Sequence, residues 1–234
     1  MADVTPATSP AASPVASPAA SGPRHWLAQA KRAWRQHHLS DPQYAFLLDA
    51  PPPNEWVSLD CETTGLNRRS DEIISVGAVR IVGDRIMTSE RLELLVRPDK
   101  GVPGQSVRIH RLREQDVANG LPLAEAMHQL LHFIGSRPLV GYYLEFDVAM
   151  LNRAIAPLIG MGLPQPKWEV SSLYYDYKFK QLPPSHQQGN ADIDLRFATL
   201  MADLQLPLRD AHDAMNDAVM AAMAFIKLRH LNGI

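Results

Sequence analysis

Asp60 and Glu62 stand one residue apart in Trp56-Val57-Ser58-Leu59-Asp60-Cys61-Glu62-Thr63-Thr64-Gly65-Leu66, a run apolar enough to form a buried β-strand. Side chains two apart on a strand share a face, so the two carboxylates project together while Leu59 and Cys61 face the other way. Adjacent carboxylates on a half-buried sheet repel and are costly to desolvate, and a divalent cation between them removes both penalties. The Thr63-Thr64-Gly65 that follows offers hydroxyls, backbone N–H groups and a permissive turn beside such an ion. Two solvated acids closing a strand before a glycine turn are the plainer reading of the same residues, so other positions must decide between them.

Three further polar residues sit where an ordinary core would not put them. Asp217 falls on the stripe of Met220, Ala221, Ala224, Phe225 and Leu228, at offsets that share one helix face. That face is apolar, and a lone aspartate on it is costly unless something positive meets it. Asp147 follows a short strand and enters a helix in its first turn, where the helix dipole favours any acid. His212 precedes Asp217 by five residues, which turn a helix through about 500° and leave the two side chains about 140° apart. The histidine is therefore expected on the loop feeding the helix. One histidine among nine is structural unless its neighbours give it work.

The elements that must position these residues follow from periodicity. After the opening strand, Ile73 to Val82 and Ile86 to Val96 are β-rich runs joined by Gly83-Asp84, a tight hairpin signal. Three strands thus open the domain, the second antiparallel to its neighbours. His110 to Val117 is a short element and Leu123 to Ile134 an amphipathic helix. Leu139 to Tyr142 reads as a short strand, Phe146 to Ile159 as a helix, and Lys167 to Val170 as a last strand. Helices over Asp192 to Leu204 and Asp213 to Leu231 complete the chain. A hairpin start followed by alternating helix and strand indicates an α/β fold, a sheet flanked by helices in one domain of residues 55–234.

Composition sets the bounds. A net charge of −2 gives no whole-molecule bias toward nucleic acid, yet an enzyme gripping one strand end through metals needs no basic face. The single cysteine, Cys61, excludes an intramolecular disulfide and is expected to pack as a small hydrophobe. No apolar run reaches the length of a membrane span, and the N-terminus lacks the pattern of a secretory signal, so a cytoplasmic protein is expected. Residues 1–23 are nearly all Ala, Ser, Pro, Thr and Val, which predicts a disordered tail. Residues 24–54 read as a helical arm with a proline-rich linker. In it Trp26, Leu27, Ala30 and Trp34 recur at helical spacing, with Lys31, Arg32 and Arg35 between them. The two tryptophans are expected to pack the arm on the domain; a basic patch for nucleic acid or a partner is the sharper alternative.

Together, Asp60-Cys61-Glu62-Thr63-Thr64-Gly65-Leu66, Phe146-Asp147 after the Val140-Gly141 strand, and His212-Asp213-Ala214-Met215-Asn216-Asp217-Ala218 resemble the DEDDh 3′–5′ exonucleases. That family includes the DNA polymerase III epsilon subunit, ribonuclease T and oligoribonuclease. Ile109-His110, with Leu112 after it, is similar to a further family segment. The resemblance covers about Glu55 to Leu231 and implies a ribonuclease-H-like mixed sheet. It implies hydrolysis of single-stranded 3′ ends, of DNA first and RNA second, to nucleoside monophosphates with two Mg²⁺ or Mn²⁺ ions. Asp60 would bridge both ions, Glu62 and Asp217 would complete the first, and Asp147 would reach the second. His212 would be the general base, Thr63, Thr64 and Leu66 would line the terminal nucleotide, and His110 would contact substrate.

Where the family often presents His-Asn, this chain has Tyr142-Tyr143. One ring is expected in the sheet packing and the other, Tyr143, on the nucleotide next to the terminal one, unless both are core filler. Two rival readings accompany the nuclease. One is a proofreading-type subunit docked on a DNA polymerase through the arm, and the other a non-catalytic nucleic-acid or protein-binding module on the same fold. Because the chain ends at Ile234, just past the last helix, a free-standing nuclease is the expectation. The oligomeric state is not legible.

Overall fold

The computed structural model describes residues 23–187, 191–210 and 212–234, without the side chains of residues 23–29 and 31, so the expected tail lies outside the described residues save for its last position. The domain is built on a five-stranded sheet of order β3-β2-β1-β4-β5. Its strands are β1 (Glu55–Thr63), β2 (Ile73–Val82), β3 (Arg85–Leu95), β4 (Leu139–Gly141) and β5 (Lys167–Glu169). β2 runs antiparallel to β1 and β3, while β4 runs parallel to both β1 and β5. The mixed sheet expected from the hairpin start and the later strand–helix alternation is therefore what forms.

Helices cover both faces, and the alternation along β1 divides the core between them. Val57, Leu59 and Cys61 join one apolar cluster with α4 (Leu123–Ile134) and α5 (Leu144–Ile159). Trp56 packs into the other with α6 (Val170–Gln181), α7 (Phe197–Asp203) and α8 (Ala214–Asn232). Ser58, Asp60 and Glu62 share the Trp56 face, and the buried Ser58 hydroxyl donates to the Ala218 carbonyl of α8 at 2.7 Å. Gly77, paired with Asp60 on β2, lets α8 approach this closely: a Cβ there would run into the Ala214 backbone. The small residue in mid-strand marks the place where another backbone comes in.

Four sequence expectations need correction. The run over His110 to Val117 is divided between α2 (Gly104–His110) and α3 (Glu114–Val117), with Arg111 at φ 62° between them. The helix expected from Asp192 begins only at Phe197, because the Asp194 carboxylate accepts from the Arg196 N–H at 3.0 Å and the Thr199 hydroxyl at 2.8 Å, holding a turn. Helix α6 was not anticipated at all, since Tyr, Lys and Asp interrupt any apolar stripe in it. Finally, α1 (Pro23–His38) does not dock through Trp34, which is 61% exposed and lies against the His38 ring at 4.1 Å. The Trp26 side chain lies outside the described residues. The arm is anchored instead by the turn Pro42–Leu48, whose Tyr44 and Leu47 enter the same core as β1. Tyr44 also shares a 2.9 Å hydrogen bond with His128 Nδ1 of α4. No described helix is long and apolar enough to cross a membrane.

Candidate active site

Three elements deliver four acids to one end of the sheet. Asp60 and Glu62 come from the end of β1, Asp147 from the first turn of α5, and Asp217 from the first turn of α8. Carboxylate oxygens of Asp60, Glu62 and Asp217 all lie within 4.8 Å of one another. Asp147 is 5% exposed and near enough for its charge to oppose ionisation of Asp60. Among the described residues no lysine or arginine pairs with any of the four. One Asp217 oxygen accepts the His212 backbone N–H at 3.0 Å; the other is buried with no partner.

The electrostatics follow from that crowding. Burial, then the charges of Asp147, Asp217 and Glu62, push the Asp60 carboxyl well above the ordinary carboxylate range. Glu62 is raised to about 7 by burial and by Asp217 and Asp213, and Asp147 to about 8, chiefly by burial. Asp217 is raised by burial too, although the His212 N–H pulls the other way. Acids so placed bind either protons or a cation. The donor set is all oxygen, the buried Asp217 oxygen lacks a partner, and the spacing suits shared ligands. The residues present fit a hard divalent ion such as Mg²⁺ or Mn²⁺.

His212 lies on the loop before α8, as its spacing from Asp217 predicts, with φ 66° and an exposed side chain. It lines a cleft of about 310 Å³ together with Glu62, His110 and Asp213. His110 is buried; its Nδ1 accepts the Leu112 N–H at 3.1 Å, so in the neutral ring Nε2 carries the hydrogen. That Nε2 has no partner. Burial and the neighbouring His212 both lower the His110 pKa. The structure thus brings His110 and His212 to the same cleft as Glu62.

The remaining candidates divide. Thr63 donates its hydroxyl to the Gly65 carbonyl at 2.7 Å, and the Thr64 hydroxyl accepts the Glu72 N–H at 2.9 Å, so both knit the turn after β1. Leu66 projects from that turn, 84% exposed. Tyr142 stacks on Phe197 with ring centroids 4.4 Å apart and donates to the Leu195 carbonyl, the packing role expected of one tyrosine. Tyr143 is 58% exposed and lines a different cleft, with Val148 and Glu169.

Two positioning residues escape the sequence reading. Asp213 caps α8 by accepting the Asn216 N–H at 2.9 Å, a role its place just before the helix could have indicated. Glu169, at the end of β5, accepts the N–H groups of Tyr143 at 2.9 Å and Leu144 at 2.8 Å, and that of Ser171 at 3.1 Å. One carboxylate therefore caps both α5 and α6, and holds Tyr143 at φ 51° in the turn that delivers Asp147. No local pattern signals it, because the contact is made across the sheet, where Gly141 and Glu169 are register partners.

A model of the exonuclease family RNase_T matches residues 57–225. The chain is 30% identical over 174 residues to a DNA polymerase III subunit epsilon-like protein of Rhodobacter capsulatus, covering 74% of this chain and 23% of that protein. It thus spans less than a quarter of that relative's length. It is 23% identical over 189 residues to the DNA polymerase III subunit epsilon of Aquifex aeolicus, covering 81% of this chain and 87% of the other. E. coli exonuclease I, in a zinc-bound complex with single-stranded DNA, superposes with a TM-score of 0.63 at 17% identity, over 77% of this chain and 41% of that one. That likeness establishes a shared fold. With the family match running through β1 and most of α8, the chain belongs to the RNase_T exonuclease family.

Proposed function

We propose that this chain is a cytoplasmic, divalent-metal-dependent 3′–5′ exonuclease that releases nucleoside monophosphates from single-stranded 3′ ends, DNA foremost, at Asp60, Glu62, Asp147 and Asp217. The observation that carries the reading is the set of three carboxylates within 4.8 Å, to which no lysine or arginine is paired among the described residues. Membership of an exonuclease family supports the reaction class, and the single-stranded DNA bound by exonuclease I supports the substrate class.

In this reading Asp60, Glu62, Asp217 and Asp147 would hold the ions, Asp60 lying among the other carboxylates. When bound, such ions activate a water and stabilise charge developing on the leaving 3′-oxygen. His212 takes the water's proton at a ring nitrogen, the general-base work that an imidazole side chain can do. The water oxygen bonds to phosphorus, the bond to the 3′-oxygen breaks, and that oxygen takes a proton from solvent to leave as the hydroxyl of the shortened strand, His212 returning its proton to solvent. His110 offers its unpaired Nε2–H to a substrate oxygen. Leu66 gives the terminal base an apolar contact, presented by the turn that Thr63 and Thr64 hold together. Tyr143 stacks on the next nucleotide, in the shallow cleft beside α5. A terminal base must leave its stack to enter such a site, which suits single strands.

A second reading, favoured by the epsilon-type relatives, adds a DNA polymerase docked through residues 24–54. Single-stranded DNA and RNA of several lengths, labelled at either end and incubated with Mg²⁺ or Mn²⁺, test the activity. Stepwise metal-dependent shortening from the 3′ end, faster on DNA, is the expected result. Loss from the 5′ end, internal cleavage or no cleavage would overturn it.

A further inference from the structure

A separate cleft of about 390 Å³ opens between the loop after β1, the end of β3 and α5. Arg69, Arg97, Lys100 and Arg153 line it, against the carboxylates of Glu72 and Asp99. None of the four cations forms an ion pair among the described residues. Positive charge is therefore gathered here in a chain whose net charge is −2. Arg153 donates to the carbonyls of Arg68 and Asp71, and Lys100 to that of Ser70, which fixes both side chains without neutralising them. Arg69 and Arg97 are exposed, and their hydrogen bonds come from their backbone N–H groups.

This cleft adjoins the carboxylate site. Ile73 in its lining pairs with Thr63, the residue after Glu62. Met150 and Ala154 in its wall follow Asp147 at i+3 and i+7 on one face of α5. Arg153 lies about 9 Å beyond Asp147 along the helix axis. No aromatic residue lines the cleft, so it offers charge for phosphates and no platform for bases. We propose that it is a trough for the sugar–phosphate backbone of the substrate strand, upstream of the nucleotide held at the carboxylates. The inference rests on the exonuclease reading above, and it adds a binding subsite that makes affinity grow with strand length.

The test is fluorescence anisotropy with labelled oligothymidylate and oligoadenylate about a dozen nucleotides long, in EDTA so that nothing is cleaved. The double variant Arg69→Ala/Arg97→Ala should bind both strands about tenfold more weakly at low salt. Its log–log salt slope should be shallower by about 1.4, or 0.7 per lost phosphate contact on a single strand. Arg85→Ala/Lys180→Ala, which removes as much charge elsewhere, is the control and should bind like wild type. Equal affinity and slope for the two double variants would overturn the trough, as would a wild-type chain that binds neither strand. Tight, trough-dependent binding by a wild-type chain that hydrolyses nothing in Mg²⁺ would instead overturn the exonuclease reading and leave the trough standing.

Discussion

At Asp217 one carboxylate oxygen takes the His212 N–H and the other takes nothing, and among the described residues no lysine or arginine pairs with any acid of the cluster. Glu62 and Asp147, raised to about 7 and about 8, keep protons in the metal-free fold at pH values where the unfolded chain has lost them. A raised carboxyl pKa favours folding at low pH, and the benefit fades as pH rises through the folded value. The Tm of EDTA-treated protein should therefore fall between about pH 5 and pH 8, and Asp60→Asn should reduce that fall. Added Mg²⁺ or Mn²⁺ should raise Tm more at the upper end. A metal-free Tm that climbs across this interval would contradict the buried, cation-free cluster. His212→Ala should lower kcat by roughly 10²–10⁴, the usual worth of a positioned base, with Mn²⁺ affinity by calorimetry almost unchanged. Collapse of Mn²⁺ affinity would make the residue a ligand or a structural support. The positions of Asp60, Glu62 and Asp217 were legible because period 2 on a strand and period 3.6 on a helix fix which face each occupies. The hold of Glu169 on α5 was not legible, since Tyr143 and Leu144 reach it from the end of the neighbouring strand.

At the scale of elements, Glu169 shows how a site is held by residues outside it. Its carboxylate supplies N-terminal acceptors to α5 and α6, and α5 carries Asp147. Glu169→Ala should cost about 1–3 kcal/mol of stability, as expected for losing two caps. It should also weaken Mn²⁺ binding through a loosened Asp147, while Glu169→Gln, which keeps one acceptor oxygen, should recover part of both. Unchanged Mn²⁺ affinity in the folded Ala variant would show that α5 is placed by packing alone. The strands β1 to β3 and the helices α4, α5 and α8 were readable from alternation and stripes. The sequence is silent on α6 because residues such as Tyr175, Asp176 and Lys178 break its stripe. It misleads at Asp192 to Arg196 because the Asp194 turn, a local side-chain bond, overrides the apolar spacing of Ile193 and Phe197.

Across the whole molecule, the N-terminal arm divides into a part that packs and a part that does not. Tyr44, Leu47 and Leu48 are buried, whereas Trp34 on α1 is exposed. Removing residues 1–37 should therefore shift Tm only slightly, and removing 1–53, which takes Leu39 as well as the buried turn off the core, should lower it strongly, since losing even one buried leucine costs about 2–5 kcal/mol. Equal Tm values for the two truncations would contradict the anchoring role of Pro42–Leu48. Trp34, at helical spacing with its apolar neighbours, looks like core until the structure shows it exposed, which is why the sequence pointed to the wrong half of the arm. The central claim is that Asp60 and its neighbours perform metal-dependent 3′ end hydrolysis, and one measurement reaches it most directly. Shortening of a 5′-labelled single strand is followed in Mn²⁺ for wild type and for Asp60→Asn, each checked for folding by circular dichroism. Wild type should shorten the strand from its 3′ end and a folded Asp60→Asn should not do so above background; undiminished shortening by that variant would rule out the metal-dependent role of Asp60.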